Sequence, residues 1–178
     1  TIFFVTILVS SVISLASEEL ISGSHIAVAF LILLAIILLG IIFDVIGVAV
    51  TSADEKPFHS MAARKVPGAQ ESIRLLRNAE RVSSICNDVV GDICGVVSGS
   101  ASATIAAQIL SNFEFTWPQI ISLLMSALAA GLTVGGKAIG KSFAVNSCTT
   151  IVHTVGRVLH TANQIFCKKK TTKKKNKK

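Results

Sequence analysis

Apolar residues fall in long runs separated by short polar stretches. In 2–16 only Ser and Thr interrupt the hydrophobic residues; Glu18 and Glu19 follow, then Ser22-Gly23-Ser24 as a turn. In 25–50 the run is stronger. Ala27 to Ile42 carries no polar side chain, and Asp44 then appears inside the same stretch, followed by Gly47. Pro57 marks its end, because proline discourages continuation of a helix. Residues 57–84 are polar, with Ile73, Leu76 and Val82 spaced for one helical face and Arg74, Arg77 and Arg81 off it, which predicts helices over 61–65 and 70–83. Two further apolar runs, 85–110 and 119–134, flank the loop Ser111-Asn-Phe-Glu-Phe-Thr-Trp-Pro118. In 142–166 the pattern changes: Ala144, Cys148, Ile151, Val155, Leu159, Ala162 and Phe166 form a stripe, with Asn146, Thr149, His153, Arg157 and His160 away from it.

A helix needs about 20 apolar residues to cross a bilayer. The pattern therefore predicts an all-α integral membrane protein of about four transmembrane helices, a cytoplasmic helical hairpin at 57–84, and an interfacial amphipathic helix at 142–166. The first span, in 1–24, is short and reads as a helix without its natural start. A signal-peptide core is the alternative, although no basic residue precedes it. Residues 25–141 form the core, and 167–178 a lysine-rich tail expected to be disordered.

Composition agrees. Of 178 residues, 51% are hydrophobic and 15% charged, against about 25% charged in globular domains. The net charge of +7 is unevenly placed: the first basic residue is Lys56, and the last eleven residues hold eight Lys. With Arg64, Lys65, Arg74, Arg77 and Arg81 in the hairpin, the positive-inside rule puts 57–84 in the cytoplasm. The first span then runs outward, 25–50 inward, 85–110 outward and 119–134 inward. The chain is expected in the cell (plasma or inner) membrane with its lysine tail cytoplasmic. Trp117 and Phe115 suit a headgroup interface. Lys168, Lys169, Lys170, Lys173, Lys174 and Lys175 are expected to bind anionic lipid, each contributing about 1 kcal/mol beside a bilayer. With no Tyr and few aromatics there is no stacking platform for bases, so specific nucleic-acid binding is not expected. Cys86, Cys94, Cys148 and Cys167 show no zinc spacing.

The chemistry gathers where the third run begins. Asn87, Asp88 and Asp92 open a helix that should lie in lipid, where a carboxylate costs about 2.5–3.5 kcal/mol on insertion scales. Asp88 and Asp92 are four apart and share a face. Gly95 and Gly99 continue that face and Gly91 lies beside it, a spacing that admits another helix backbone. Asp88 also suits a helix start, where a carboxylate caps the free amides. From helix rise, Asp44 lies about 9 Å and Asp92 about 10 Å inside the cytoplasmic boundary, and Gly131, Gly135 and Gly136 reach a similar depth. Carboxylates, an amide and freed glycine carbonyls are hard oxygen donors, suited to Mg²⁺, with Na⁺ as a second ion. A purely structural polar seam is the plain alternative. An aspartyl dyad of Asp44 and Asp92 is a remote one: Val89-Val-Gly-Asp92 lacks the first glycine of the Gly-x-Gly-Asp motif such proteases carry. No enzymatic activity is expected. His153 and His160, lacking an evident carboxylate, read as solvated or phosphate-facing rather than as ligands.

Several stretches together resemble the transmembrane domain (DUF21) of the CNNM/CorC (CorB) magnesium transporters. That module has a first helix ending in Ser-x-Ser-Glu-Thr-Ala-Leu-Thr-Ser, a cytoplasmic helical hairpin, a second helix opening on Gly-Asn-Asn, and a third leading into Gly-Glu-[Val/Ile]-[Ile/Leu]-Pro-Lys. Here the first stands as Asp44-Val-Ile-Gly-Val-Ala-Val-Thr-Ser52, the second as Cys86-Asn-Asp88 and the third as Gly136-Lys-Ala-Ile-Gly-Lys141. The hairpin stretch Leu75-Leu-Arg-Asn-Ala-Glu-Arg81 is similar in style. The similarity covers roughly 25–160. The sequence departs from the pattern: Asp44 and Ile46 replace the serine pair, Lys137 the Glu and Gly140 the Pro. Counted from Arg81 without gaps, the Asn pair falls on Val90 and Gly91. The resemblance implies transport of Mg²⁺, and of Co²⁺ in some cases, in exchange for Na⁺, by a homodimer. The implied ligands are Asp44, Asn87, Gly136 and Gly140, with Asp88 and Asp92 as local replacements. The family's cytoplasmic nucleotide-sensing CBS pair is not among these residues, which implies no ATP regulation unless a partner supplies it. A non-transporting scaffold or regulatory subunit, built on the glycine faces and the lysine tail, is the competing expectation.

Overall fold

The structure is a computed structural model that describes residues 2–22, 24–112 and 117–175. All described elements are helical: α1 (Ile2–Ser22), α2 (Ile26–Ser52), α3 (Lys56–Ala63), α4 (Ala69–Arg77), α5 (Ala79–Ser84), a π-helical segment (Ile85–Gly91), α6 (Asp92–Asn112), α7 (Pro118–Asn146) and α8 (Cys148–Lys175). Three helical stretches are long and apolar enough to cross a membrane: Ile26–Ser52, Ala79–Asn112 and Pro118–Asn146.

The chain divides into two compact units, Thr1–Val45 with Ile85–Gly140, and Ile46–Ser84 with Lys141–Lys178. In the first, α1 packs along α6. Ile21, Ala29, Leu33 and Ile37 form its core with Ala101, Ile105, Ala106 and Met125. The Gln108 side-chain amide donates to the Ile21 carbonyl at 2.7 Å, a second bond to an oxygen at the end of α1 that also accepts from the Ser24 backbone N–H. Ser98, Ser102, Thr104 and Thr133 donate to carbonyls three or four residues back in their own helices. Such back-bonding satisfies hydroxyls within a helix that is otherwise apolar.

In the second unit, α4 packs on α8 and α3 on α4. α2 ends at Ser52, before Pro57, and Pro57 sits in the first turn of α3, where its missing N–H costs nothing. Phe58, Ala69, Ser72 and Val152 are fully buried. Gly68 caps α4 with a φ of 87°, a left-handed conformation that suits glycine. A Cβ added to Gly68 would lie 2.6 Å from the Arg157 backbone nitrogen. One added to Gly156 would lie 2.6 Å from the Gly68 carbonyl oxygen and collide with Ser72 Oγ. Two glycines thus let the start of α4 rest on the backbone of α8. Ser72 Oγ completes the crossing by donating to the carbonyls of Gly68 (2.9 Å) and Val152 (3.2 Å).

Three features differ from the expectation. A helix end near 134 was expected because glycines crowd there, yet α7 is unbroken through Gly131, Gly135, Gly136 and Gly140 to Asn146. Isolated glycines weaken a helix by about 1 kcal/mol each without stopping it, and packing outweighs that. The packed line on α8 is centred on Val152 and Gly156, while Leu159 is exposed, so the predicted stripe is rotated towards the side where glycine admits α4. The backbone of α8 remains helical to Lys175, where a disordered tail was expected after 166. Lysine is a good helix former and no glycine or proline interrupts 157–175. The side chains of Lys168, Lys169, Lys170, Lys173, Lys174 and Lys175 lie outside the described residues, as does Phe115.

Candidate functional site

The register of three helices sets the site. Gly40 of α2 lies so close to Cys94 of α6 that a Cβ there would be 2.9 Å from the Cys94 Cβ. Ala29 to Ile37 share the core with Ala101 to Ala106, so α2 and α6 run antiparallel. On the adjacent side of α2, Ile41 and Val45 press on α7: a Cβ on Gly136 would collide with Ile41, and one on Gly140 would be 2.7 Å from Val45. Residues 40–45 are therefore held between α6 and α7.

Asp44 lies in that segment and is 4% exposed. It follows Gly40 by four residues and shares its face, which is the face turned to α6. One turn from Cys94 towards the same end, α6 is preceded by the π-helical segment Ile85–Gly91, which contains Cys86, Asn87 and Asp88. Single π turns occur within α-helices chiefly at functional places. Where i→i+5 bonding returns to i→i+4, two carbonyls compete for one N–H, which leaves an oxygen available to another donor. Asn87 is half-buried; Asp88 and Asp92 are exposed. The structure thus brings Asp44, the turn carrying Asn87, and the Gly136–Gly140 stretch to one level of this unit.

The glycines do other work than expected. Because α7 is continuous, Gly136 and Gly140 offer close packing on α2 rather than carbonyls freed by a helix break. Gly91 is buried, with the Cys86 carbonyl and Lys137 Nζ each 3.4 Å from where its Cβ would be. A Cβ added at Gly95 or Gly99 would meet nothing within 4 Å among the described residues. Lys137, which the sequence marks only as the replacement of the family's Glu, donates from Nζ to the Gly91 carbonyl at 3.3 Å. Its signal was its place between Gly136 and Gly140. Among the described residues, no group of three His, Cys, Asp or Glu side chains is arranged to hold a metal ion.

In the second unit, His160 has the carboxylate that sequence reasoning found missing. Its Nδ1 lies 3.0 Å from Glu71 Oε1, and its Nε2 3.0 Å from the Gln164 amide. The hydrogen bond from His160 holds the Glu71 carboxyl below its ordinary value of 4.5, against the opposing effect of burial. His153 is half-buried and its Nε2 finds no partner among the described residues. Since the folded-state value for Glu71 is depressed, its stabilising contribution is complete above pH 4.5 and is lost as pH falls through the folded value. The thermal midpoint in detergent should therefore fall below pH 4.5, and less steeply in Glu71→Gln. An unchanged slope in that variant would remove the carboxylate from this role.

The fold defines an all-helical protein with three stretches able to cross a bilayer, which is compatible with a membrane location. No family model, curated protein or solved structure matches the chain.

Proposed function

We propose that this chain is a four-span membrane protein that carries a divalent cation, Mg²⁺ first and Co²⁺ second, through a site near the cytoplasmic end of its bundle. The observation that carries the reading is Asp44, an ionisable side chain 4% exposed inside an apolar helix. Charged groups at such depth are costly and are retained where they face a partner, a cavity or an ion. Asp44 supplies negative charge, Asn87 an amide oxygen and the π turn backbone oxygen, a donor set of the kind Mg²⁺ takes alongside retained waters. The resemblance to the CNNM/CorC transmembrane domain, at the stretches containing Asp44, Asn87 and Gly136, points the same way. In this reading α1 is the fourth span: 21 residues extend about 31 Å as a helix, matching the hydrocarbon thickness. The lysine tail lies against anionic lipid on the cytoplasmic side, and the working unit is a homodimer.

Reconstituted vesicles test this directly. With Mg²⁺, Co²⁺ and Na⁺ gradients varied separately, Mg²⁺ should move and Na⁺ should alter its rate. No flux under any gradient from monodisperse protein removes the reading. Gly95 and Gly99 favour a second one, a non-transporting subunit of a membrane complex, because a Cβ at either would meet nothing within 4 Å among the described residues. That reading requires bulky substitution at Gly99 to break assembly while Asp44→Asn leaves it intact.

A further inference from the structure

Lys137 is placed unlike an ordinary membrane lysine. A long basic side chain near the end of a spanning helix usually extends its charged head to the interface. Here the side chain is half-buried, and its ammonium rests on the carbonyl of buried Gly91, at the C-terminal limit of the π turn. The backbone on either side of Lys137 is fixed, because Gly136 and Gly140 are pressed against Ile41 and Val45. The ammonium lies against residue 91 itself: a Cβ there would stand 3.4 Å from it, in van der Waals contact. A positive charge has thus been brought to a backbone oxygen in the segment that also bears Asn87, at the level of Asp44.

We propose that the Lys137 ammonium is a tethered cation that competes with a divalent ion for the Gly91 carbonyl. This rests on the cation reading above and adds a regulatory element to the same site. With no ion bound, Lys137 occupies the oxygen. When a divalent ion arrives, the ammonium withdraws, since two cations cannot share one acceptor without strong repulsion. The bond suits that exchange. At 3.3 Å it is longer than the usual 2.7–2.9 Å of a charge-assisted hydrogen bond, so it is weak enough to be displaced. The lysine side chain is flexible and can swing clear without moving α7. No covalent step is involved.

The test is Mn²⁺ binding to the full chain in detergent, read by electron paramagnetic resonance, on wild type, Lys137→Met, Lys137→Gln and Lys137→Arg. Removing the charge should tighten Mn²⁺ binding by about tenfold or more in both Met and Gln variants, because like charges juxtaposed at a binding site are strongly unfavourable. Lys137→Arg should bind as wild type does. The Gln variant also guards against misfolding, since its amide can still donate to the Gly91 carbonyl without carrying charge. Equal Mn²⁺ affinity in all four overturns the competition and leaves the cation reading standing. Weaker binding in both neutral variants also overturns it, by making Lys137 a support of the site. If none of the four binds Mn²⁺, the cation reading fails and the competition with it.

Discussion

Gly156→Ala should destabilise the packing of α4 on α8 by about 1–3 kcal/mol, the usual cost of forcing an extra methyl into a packed interface. The expectation lies at the upper end because the new methyl would meet backbone. Its Cβ would stand 2.6 Å from the Gly68 carbonyl and 3.0 Å from the Ser72 nitrogen. A side chain can change rotamer, but a carbonyl at a helix N-cap moves only if the first turn of α4 moves. That shift would pull Ser72 Oγ from the Val152 carbonyl, removing one of the two hydrogen bonds this fully buried hydroxyl makes. Hydrogen exchange on the amides of Ala69–Arg77 measures the change as a lower opening free energy. Gly99→Ala is the matched control. Its methyl would meet nothing within 4 Å among the described residues, and replacing a helical glycine by alanine favours the helix by about 1 kcal/mol. If Gly156→Ala protects those amides as well as wild type does, the crossing is looser than the glycine contacts require.

Asp44→Asn should abolish cation flux, lowering it by about a hundredfold or more, while leaving the protein folded. Asn is nearly isosteric and still offers an oxygen, so shape and part of the hydrogen bonding remain. What disappears is the charge, which an ion shedding part of its water requires. The expected effects on stability and on flux therefore separate. A carboxylate inside a membrane helix costs about 2.5–3.5 kcal/mol on insertion scales, a cost that the neutral amide lowers. A purely structural Asp44 would behave differently: the variant would melt earlier and keep whatever flux the wild type shows. Flux in vesicles and the thermal midpoint in detergent, measured on one preparation, tell these apart.

Much of the architecture was legible in the chain. Runs of apolar residues as long as 25–50 have few folded solutions other than a membrane helix or a buried one. Asp44 stood out for the same reason, as a charge where its neighbours permit none. The glycines misled because their chemistry has two uses. Gly136 and Gly140 were expected to break a helix and free oxygens, yet they lie in continuous α7 and let Ile41 and Val45 approach. Glycine can serve either end, and the neighbouring helix selects between them. His160 misled in the opposite direction. Its carboxylate partner lies 89 residues away on α4, a pairing that no local spacing reveals.

The sequence by itself determined the helical class, the positions of the three long apolar helices, and the singular place of Asp44, because hydrophobic burial depends on composition and period along the chain. Only the tertiary structure decided which faces meet: that α2 is held between α6 and α7, that α4 rests on α8 at Gly156, and that Lys137 turns to the Gly91 carbonyl. Such contacts depend on close fit between backbones distant in sequence, and that fit is settled only when the helices are packed together.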